Sequence, residues 1–500
     1  MSQPRNFRNT LPDYGMTASN AMSPAASLSA STSSVSRMTL LDLFEETFDA
    51  VRSYRTSNPT IYTGSAGVAL GLWHARRSLL INCSACTSAT AAAEPPPQQP
   101  MSESHVTAAA APAEEATALA ALPAALLAAA LEHVRSAVKA LGGPKGYSLT
   151  RGSRGGSMLD GGAGVHMTAA LVLHDAAAAA AATSAADSSA ASIALLRERD
   201  DHVRGFLDAY PLAMDSENDE YLYGRAGYLQ GAQLLNCHLC AGTVPVEVVE
   251  GVATEMLESG RELAARLRWQ RTDTPPPPLF YMWPHREQGE PYLGAAHGLM
   301  GILFSLLHCD LVVQQHAEDL RASLAYVASH EIDCPSCSSS GGHYPTRMAV
   351  STSDLAEAKS SSKALVHWCH GAPGAVFMWC KAHQVFGDPA YLSAARRAGE
   401  VVWQLGLLKK GHGLCHGTSG NAYALLALHR ATGGGETIWL HRARMFAAHI
   451  GSPEGRSVYD TPDRPLSLYE GRAGALCLLA DLLADDGGSA GSRFPAFELP

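Results

Sequence analysis

Seven short turns rich in glycine and other small residues recur along this chain, and each is followed by an apolar run. Within each run the apolar residues recur with the period of an α-helix rather than with the alternation of a strand. Further helical stretches, such as the one that begins at Tyr391, lie between the turns. The last glycine of each turn is expected at Gly67, Gly164, Gly227, Gly298, Gly374, Gly420 and Gly474.

Seven helix pairs that cannot bury their apolar faces alone must stack on one another, and seven are enough to close a ring. The predicted fold is therefore all-α: a double-layered (α/α)7 toroid, or barrel, with the glycine-rich turns at one end of the inner helices. We expect one domain over residues 40–500, after a disordered or extended amino-terminal tail over residues 1–39. Low-complexity sequence predicts insertions near residues 87–122, 176–193 and 339–363.

Charge and composition exclude several classes of protein. A formal net charge of −10 without a basic run argues against nucleic acid as a partner, because phosphate binding needs clustered cations. The amino terminus has no apolar leader, and the chain has no uninterrupted span of about 20 apolar residues. We therefore expect a cytoplasmic protein without a transmembrane segment. Peripheral association with the plasma membrane is compatible with this sequence.

Eleven cysteines without a leader predict reduced thiols or metal ligands rather than a disulfide framework. A zinc ribbon needs two Cys-x-x-Cys pairs roughly 15 to 20 residues apart. The three pairs of this chain lie much farther apart, at Cys83/Cys86, Cys237/Cys240 and Cys334/Cys337. The first two lie in apolar, helix-like sequence, where residues i and i+3 share a face.

Only two of the seven turns carry cysteine at their mouths: Cys369 in HWCHGAPG, and Cys415 with His416 in GLCHGTSG. In a closed ring consecutive repeats are neighbours, so Cys369 can approach the Cys415–His416 pair. Two thiolates and an imidazole suit Zn²⁺, and three protein ligands leave a fourth position open, as in catalytic zinc sites. The alternative is a pair of buried cysteines with a helix-capping histidine.

The segments WCHGAPG, KKGHGLCHGTSGNAYA and YLGAAHGLMGI resemble the zinc-site and active-site segments of the eukaryotic lanthionine synthetase C-like proteins. NFRNTLPDYG, TPDRPLSLYEGRAG and RFPAFEL resemble the terminal segments of the same family. The resemblance implies the (α/α)7 barrel and one zinc ion held by Cys369, Cys415 and His416. It also implies that the protein binds glutathione and adds its thiol to dehydroalanine or dehydrobutyrine residues in proteins, by Michael addition.

Other residues of the turns are expected at the same end of the barrel. His297, in GAAHG, is expected to supply the proton that this addition needs, and His370 to act as an acid–base group or to support the zinc ligands. Four cations are expected to bind the anionic groups of glutathione or of phosphorylated proteins: Lys410, Lys409, Arg225 and Arg472. The alternative for the two lysines is a solvated charge pair in a loop.

Two departures from the family's pattern bear on activity. Gly162 stands where relatives carry aspartate in GDAG, and Asp460 stands where they carry arginine before TPD. Both changes favour the alternative function, a catalytically weak zinc- and glutathione-binding sensor or scaffold that interacts with signalling proteins. A glycoside hydrolase on a related toroid would need two carboxylates roughly 5 to 10 Å apart, and the turns offer only Asp160 and Glu470.

Overall fold

The structure is a computed structural model that describes residues 5–14, 36–90, 113–143, 153–183, 188–283, 289–334, 336–338, 340–360, 365–484 and 491–500. Extended pairing in these ranges is limited to isolated bridges. The α-helices are α1 (Arg37–Arg52), α2 (Ser65–Thr90), α3 (Ala113–Leu141), α4 (Gly162–Ala181), α5 (Ser188–Asp208), α6 (Tyr210–Met214), α7 (Arg225–His238), α8 (Val246–Arg266), α9 (Leu299–Leu306), α10 (Asp310–Ala328), α11 (Thr352–Ser360), α12 (Ala372–Phe386), α13 (Pro389–Leu405), α14 (Thr418–Ala431), α15 (Thr437–Gly451), α16 (Pro453–Arg456) and α17 (Arg472–Ala484).

Seven of these helices form a closed inner ring. In the order α2, α4, α7, α9, α12, α14 and α17 each packs on the next, and α17 packs back on α2. Outside them, in the same order, lie α3, α5, α8, α10, α13, α15 and α1. The predicted all-α, double-layered toroid of seven helix pairs is confirmed.

Inner and outer helices differ in what they bury. In α14 every residue from Thr418 to His429 is buried, because an inner helix is enclosed by the lumen on one side and the outer layer on the other. The outer helix α13 instead buries one stripe, which includes Leu392, Ala395 and Val402. The apolar runs that follow the turns in the sequence are therefore the inner helices.

A Gly-x-x-Gly sequence marks the start of every inner helix, with the second glycine as the third helical residue. At Gly420 an added Cβ atom would lie 1.9 Å from the carbonyl oxygen of Leu414, because the turn folds back onto the helix. In the fourth turn the equivalent residue is Gly301, whose Cβ would lie 1.9 Å from the carbonyl oxygen of Ala295. Gly298, expected in that place, is the N-cap of α9 instead.

Hydrogen bonds between consecutive turns close a second ring, made of backbone, at the same end of the barrel. Backbone N–H groups donate from Tyr62 to Leu159 (2.8 Å), Leu222 to Ala296 (3.2 Å), Ala296 to Cys369 (3.4 Å), Cys369 to Cys415 (3.4 Å), Cys415 to Tyr469 (2.8 Å) and Tyr469 to Tyr62 (3.2 Å). The remaining step is made by the Ser157 hydroxyl, which donates to the Leu222 carbonyl at 2.7 Å. We call this end the rim.

Residues 493–500, which we call the carboxyl-terminal plug, pack among the inner helices. Phe494 and Phe497 are fully buried. The Phe497 ring stacks on Phe304 of α9 with centroids 4.1 Å apart, and its edge meets Trp368 at 5.1 Å. The Gln230 side-chain amide of α7 donates to the Phe497 carbonyl at 2.6 Å. The plug therefore fills the lumen behind the rim.

The described amino-terminal residues 5–14 lie extended on the outside of the barrel. Phe7 donates its N–H to the Leu407 carbonyl at 2.7 Å, and Arg442 of α15 forms an ion pair with Asp13 at 2.8 Å. Most of the rest of the predicted tail, including residues 15–35, falls outside the described residues, so the predicted domain limits stay predictions.

The segments predicted as insertions contain regular structure. Residues 176–181 complete α4 and residues 188–193 begin α5, in keeping with the high helix propensity of alanine. The third segment carries α11 and a bridge between Tyr292 and Arg347. Of the first, residues 91–112 lie outside the described residues.

One described helical stretch, Leu119–Leu141, is long and apolar enough by length and composition to cross a membrane. It forms most of α3, which packs on α2 and α4. Leu126, Ala130 and Val134 on this stretch are buried in the hydrophobic core.

Buried histidines predict that the fold is destabilised by acid. His166 and His202, between α4 and α5, have their Nδ1 atoms 2.9 Å apart, and burial lowers the pKa of each to about 4. Because the unfolded chain binds more protons between pH 6.5 and 4, stability is expected to fall as the pH is lowered through this window. The loss is up to about 3 kcal/mol for each such histidine.

Urea unfolding of metal-free protein at several pH values measures this dependence. Raising the salt concentration should leave the slope nearly unchanged, since buried groups are poorly screened. A free energy of unfolding that stays level from pH 7 to pH 4.5 would contradict the prediction.

Candidate functional site

Cys369, Cys415 and His416 converge at the rim. One ligand atom from each residue lies within 4.8 Å of the other two, and this is the one such cluster of three found among the described residues. The two cysteines are buried and His416 is half-buried. Both cysteines occupy the same place in consecutive repeats, two residues before the first glycine, so the hydrogen-bonded ring that joins the turns brings them together.

The donor set fits a zinc ion. With bonds of about 2.3 Å to sulfur and 2.0 Å to nitrogen, tetrahedral zinc places its ligand atoms roughly 3.5 to 3.8 Å apart. The separations within this cluster are compatible with that geometry. Two thiols and one imidazole are soft or borderline ligands, which favour zinc over magnesium or calcium.

The electrostatics of the cluster are strongly coupled. Burial and the hydrogen bond with Cys369 raise the pKa of the Cys415 thiol well above its ordinary value. Burial opposes protonation of His416, but the adjacent Cys415 outweighs it and raises the pKa of His416. Without a metal ion, burial therefore favours the neutral thiol form of Cys415.

Two further side chains adjoin this cluster and were not expected from the sequence. The Nδ1 atom of His367 lies 3.9 Å from the Cys369 sulfur, and burial, with the charge of His416 second, lowers the pKa of His367 to about 3. The Tyr62 hydroxyl is hydrogen-bonded to the Cys415 thiol. A sequence signal exists for Tyr62, since it precedes its Gly-x-x-Gly by the same two residues as the cysteines.

His297 is held by a buried carboxylate. Its Nδ1 atom lies 2.8 Å from Glu220 Oε2, and the Glu220 carboxylate also accepts backbone N–H bonds from Leu222 at 2.9 Å and Tyr223 at 2.6 Å. Because an ionised carboxylate only accepts, the His297 Nδ1 carries the proton that is donated. The Nε2 atom therefore lies on the opposite edge of the ring, away from Glu220.

Aromatic rings enclose His297. Trp283 stacks on it with centroids 4.1 Å apart, while Tyr223 and Tyr292 lie 5.7 and 5.9 Å away. The ring of His370 lies 6.2 Å from that of His297. Burial, followed by the nearby charge of His297, lowers the pKa of His370 to about 4, so His370 is neutral at pH 7.

The two lysines face different surroundings. Lys410 is exposed, and its charge lowers the pKa values of His367, His370 and His416, which places it within electrostatic reach of the cluster. The Lys409 ammonium instead lies 5.3 Å from the centre of the Phe7 ring, toward the amino-terminal residues.

Arg225 and Arg472 are not brought to the cluster. Each is the first residue of its inner helix, directly after the first glycine of the turn. Arg225 is buried and forms ion pairs with Asp219 at 2.7 Å and with Glu255 of α8 at 3.3 Å. The Arg472 guanidinium lies over the Tyr459 ring at 4.7 Å.

The two departures from the family's pattern lie at different places. Gly162 is the first residue of α4. The half-buried Asp160 directly precedes the first glycine of the second turn. This is the position that His297, His370 and His416 occupy in their own turns. Asp460 is exposed.

A cleft of about 650 Å³ adjoins the aromatic enclosure through Tyr292. Its charged lining consists of two cations, Arg5 and Arg347, and three carboxylates, Glu290, Asp354 and Glu357. Arg347 is paired with Glu290 at 3.1 Å, whereas the charge of Arg5 acts on His367 beside the cluster. Arg5 is thus a second cation near the cluster, beside Lys410.

The chain is similar to several known proteins. The family described as lanthionine synthetase C-like protein matches residues 118–499. The chain is 38% identical over 308 residues to the protein named glutathione S-transferase LANCL1 of Danio rerio, which covers 61% of this chain and 68% of that relative. It is 36% identical over 284 residues to LanC-like protein GCL1 of Arabidopsis thaliana, covering 56% of this chain and 58% of that relative. Among solved structures, nisin cyclase aligns over 89% of this chain and 93% of its own, with 14% identity and a TM-score of 0.48.

Proposed function

Since this chain belongs to the lanthionine synthetase C-like family, we propose that it binds one zinc ion and glutathione at the rim. We further propose that it adds the glutathione thiol to dehydroalanine or dehydrobutyrine residues of proteins, in the cytoplasm. The observation that carries the proposal is the convergence of Cys369, Cys415 and His416 beside the Glu220–His297 pair. The printed name of the Danio rerio relative, a glutathione S-transferase, supports the choice of thiol.

The three clustered residues would hold the metal, with a fourth position left for the thiol. When bound, Zn²⁺ supplies a positive charge that keeps a coordinated thiol ionised near neutral pH and fixes its position. The burial of Cys369 and Cys415 supports this role, because a metal–ligand interaction is stronger where water is excluded.

His297 is suited to deliver the proton that the addition consumes. In this reaction a bond forms between the glutathione sulfur and Cβ of the alkene, and Cα takes up one proton. With Nδ1 hydrogen-bonded to Glu220, the protonated ring can donate from Nε2. The stacked Trp283 ring and the buried Glu220 together restrict the rotation of the imidazole.

Lys410 and Arg5 are the cations best placed to bind the carboxylates of glutathione. Lys410 is exposed and acts electrostatically on three histidines of the site, and Arg5 lies in the adjoining cleft. Neither cation takes part in the buried ion pairs that Arg225 forms. Phosphorylated side chains of a protein substrate would use the same cations.

Incubating the protein with glutathione and a dehydroalanine peptide tests the proposal. Mass spectrometry should detect a thioether adduct that depends on both the protein and its metal. Replacing His297 by asparagine is expected to lower kcat by about 10² to 10⁴, with zinc content unchanged, because proton delivery is lost.

His441→Asn is the matched control, since His441 contacts the Pro12 carbonyl on the outer face of the barrel. It should leave the rate as in the wild type. Absence of any metal-dependent adduct would refute the catalytic proposal. The alternative, a zinc- and glutathione-binding sensor or scaffold, would then be favoured by the exposed Asp460 at a position where relatives carry arginine.

A further inference from the structure

Two of the three Cys-x-x-Cys pairs have side chains that the structure describes, and these two pairs differ from each other. The side chains of Cys83 and Cys86 fall outside the described part of the chain. Cys237 and Cys240 are both exposed, and the Cys240 sulfur contacts the Thr243 hydroxyl at 3.2 Å. In the third pair, Cys334 and Cys337, the two thiols are hydrogen-bonded to each other.

A tight turn brings the third pair together. The Cys337 N–H donates to the Cys334 carbonyl at 3.0 Å, which places the two α-carbons at the short separation of a hydrogen-bonded turn. A disulfide requires α-carbons about 4.4 to 6.8 Å apart, so the turn permits one. Cys334 is buried, whereas Cys337 is half-buried.

The surroundings of Cys334 favour its thiolate. Besides the Cys337 thiol, the backbone N–H groups of Ser336 and Cys337 donate to its sulfur. These hydrogen bonds, the one from Cys337 first, lower the pKa of Cys334 to about 7. Burial has the opposite effect, and the hydrogen bonds outweigh it.

Neighbouring groups hold the loop on both sides of the pair. The Asp333 carboxylate accepts the Gly341 N–H at 2.7 Å, and the Ser338 N–H donates to the Gln404 side chain of α13 at 2.8 Å. A loop held in this way keeps the two sulfurs near each other, so that little conformational entropy is lost when they join.

We propose that Cys334 and Cys337 form a redox-active dithiol that exchanges with anionic disulfides of low molecular weight, of which glutathione disulfide is the probe. At rest Cys334 is the thiolate and Cys337 the thiol, because the hydrogen bond that lowers the pKa of Cys334 raises the pKa of Cys337. As the more exposed Cys337 attacks the external disulfide, its proton passes to the Cys334 thiolate, which acts as the base. This gives a mixed disulfide and releases one thiolate. Cys334 then loses the proton and attacks the Cys337 sulfur, which releases the second thiolate and leaves a Cys334–Cys337 disulfide. Two electrons pass from the protein to the external disulfide, and two external thiols form.

An adjacent cleft favours an anionic disulfide. Ser336, between the two cysteines, lines a cleft of about 750 Å³ together with Arg8, Lys409 and Asp13. Asp13 is neutralised by its ion pair with Arg442, which leaves the two cations to set the charge of the cleft. Carboxylates of glutathione disulfide match that charge.

Neither thiol belongs to the metal cluster at the rim, so the inference does not depend on the proposed function. Full-length protein is equilibrated with mixtures of glutathione and glutathione disulfide, quenched with acid, alkylated and analysed by peptide mass spectrometry. We expect Cys334 and Cys337 to lose alkylation together, as one internal disulfide, as the proportion of glutathione disulfide rises. A pair that stays reduced in excess glutathione disulfide would overturn the proposal.

Single variants distinguish the two roles. Cys334→Ala should trap glutathione on Cys337, because the thiol that resolves the mixed disulfide is gone. Cys337→Ala should slow adduct formation roughly tenfold or more, because the buried Cys334 is poorly accessible. Far-ultraviolet circular dichroism of each variant reports whether the fold is kept.

Cys237 and Cys240 provide the control with the same spacing. Replacing both by serine should leave the oxidation of the Cys334–Cys337 pair unchanged. If Cys237 and Cys240 form a disulfide as readily as Cys334 and Cys337, the hydrogen-bonded arrangement confers no special reactivity and the proposal fails.

Discussion

Replacing Cys415 by alanine is expected to reduce bound zinc from about one ion per chain to little or none, because one of the three proposed ligands is lost. Formation of the glutathione adduct should disappear with the metal. Elemental analysis of purified wild-type and variant proteins measures the first effect, and the dehydroalanine-peptide assay measures the second. The fold should persist, since the turns stay joined through backbone rather than through the Cys415 side chain.

Cys309→Ala is the matched control, because Cys309 is also buried but lies at the start of α10, outside the cluster. It should retain full zinc. Full occupancy in the Cys415 variant would place the metal elsewhere. A wild-type protein without zinc, even after refolding with the metal supplied, would remove the basis of the proposed chemistry.

Replacing Phe497 by alanine is expected to lower the free energy of unfolding by about 3 to 5 kcal/mol, the usual cost of a large aromatic residue removed from a packed core. Phe497 is fully buried in the lumen and contacts Phe304 of α9 and Trp368, the residue before Cys369. Urea unfolding monitored by tryptophan fluorescence measures the effect.

Ile193→Ala gives the comparison at an exposed apolar residue, where the change should stay within about 0.5 kcal/mol. A loss of less than 1 kcal/mol at Phe497 would show that the plug contributes little to the stability of the barrel. Zinc content of the Phe497 variant is informative as well, since Trp368 directly precedes Cys369.

The architecture could be predicted because the repeat is visible in the sequence. Each inner helix starts with small residues and continues with apolar ones, and seven such units can bury their surfaces only by stacking. The clustering of Cys369, Cys415 and His416 followed from the same logic, since consecutive repeats are neighbours in a ring. The fold and the clustering of the two cysteines with His416 could therefore both be predicted from the repeat period, which is visible in a single sequence.

The repeat period alone did not determine in which direction the side chains of Arg225 and Arg472 point. Both stand one residue after the first glycine of a turn, whereas His297, His370 and His416 stand one residue before it. That difference of two positions turns the Arg225 side chain away from the cluster, so that it pairs with Asp219. Aligning the turns on Gly-x-x-Gly would have revealed the difference.

Other features had no signal in the repeat. Glu220, which orients His297, lies in an irregular segment before the third turn, and a buried carboxylate cannot be distinguished from a surface one by sequence alone. The position of the plug could not be predicted from the repeat either. Its two phenylalanines lie in a short terminal segment without periodicity, and only the rings that surround them in the lumen fix where they lie.

The hydrogen-bonded ring of turns has a consequence for how the protein reaches its native state. Cys415 is joined to Tyr469, and Tyr469 to Tyr62, so the cluster of Cys369, Cys415 and His416 is supported by a contact between distant parts of the chain. Such contacts raise the contact order and slow folding, because the chain loses the entropy of loop closure before the stabilising contacts form. During synthesis the first four repeats, the fourth of which carries His297, can be made and packed while Tyr469 is still absent. The hydrogen-bonded ring that surrounds the cluster is thus completed only when the circle of helices closes.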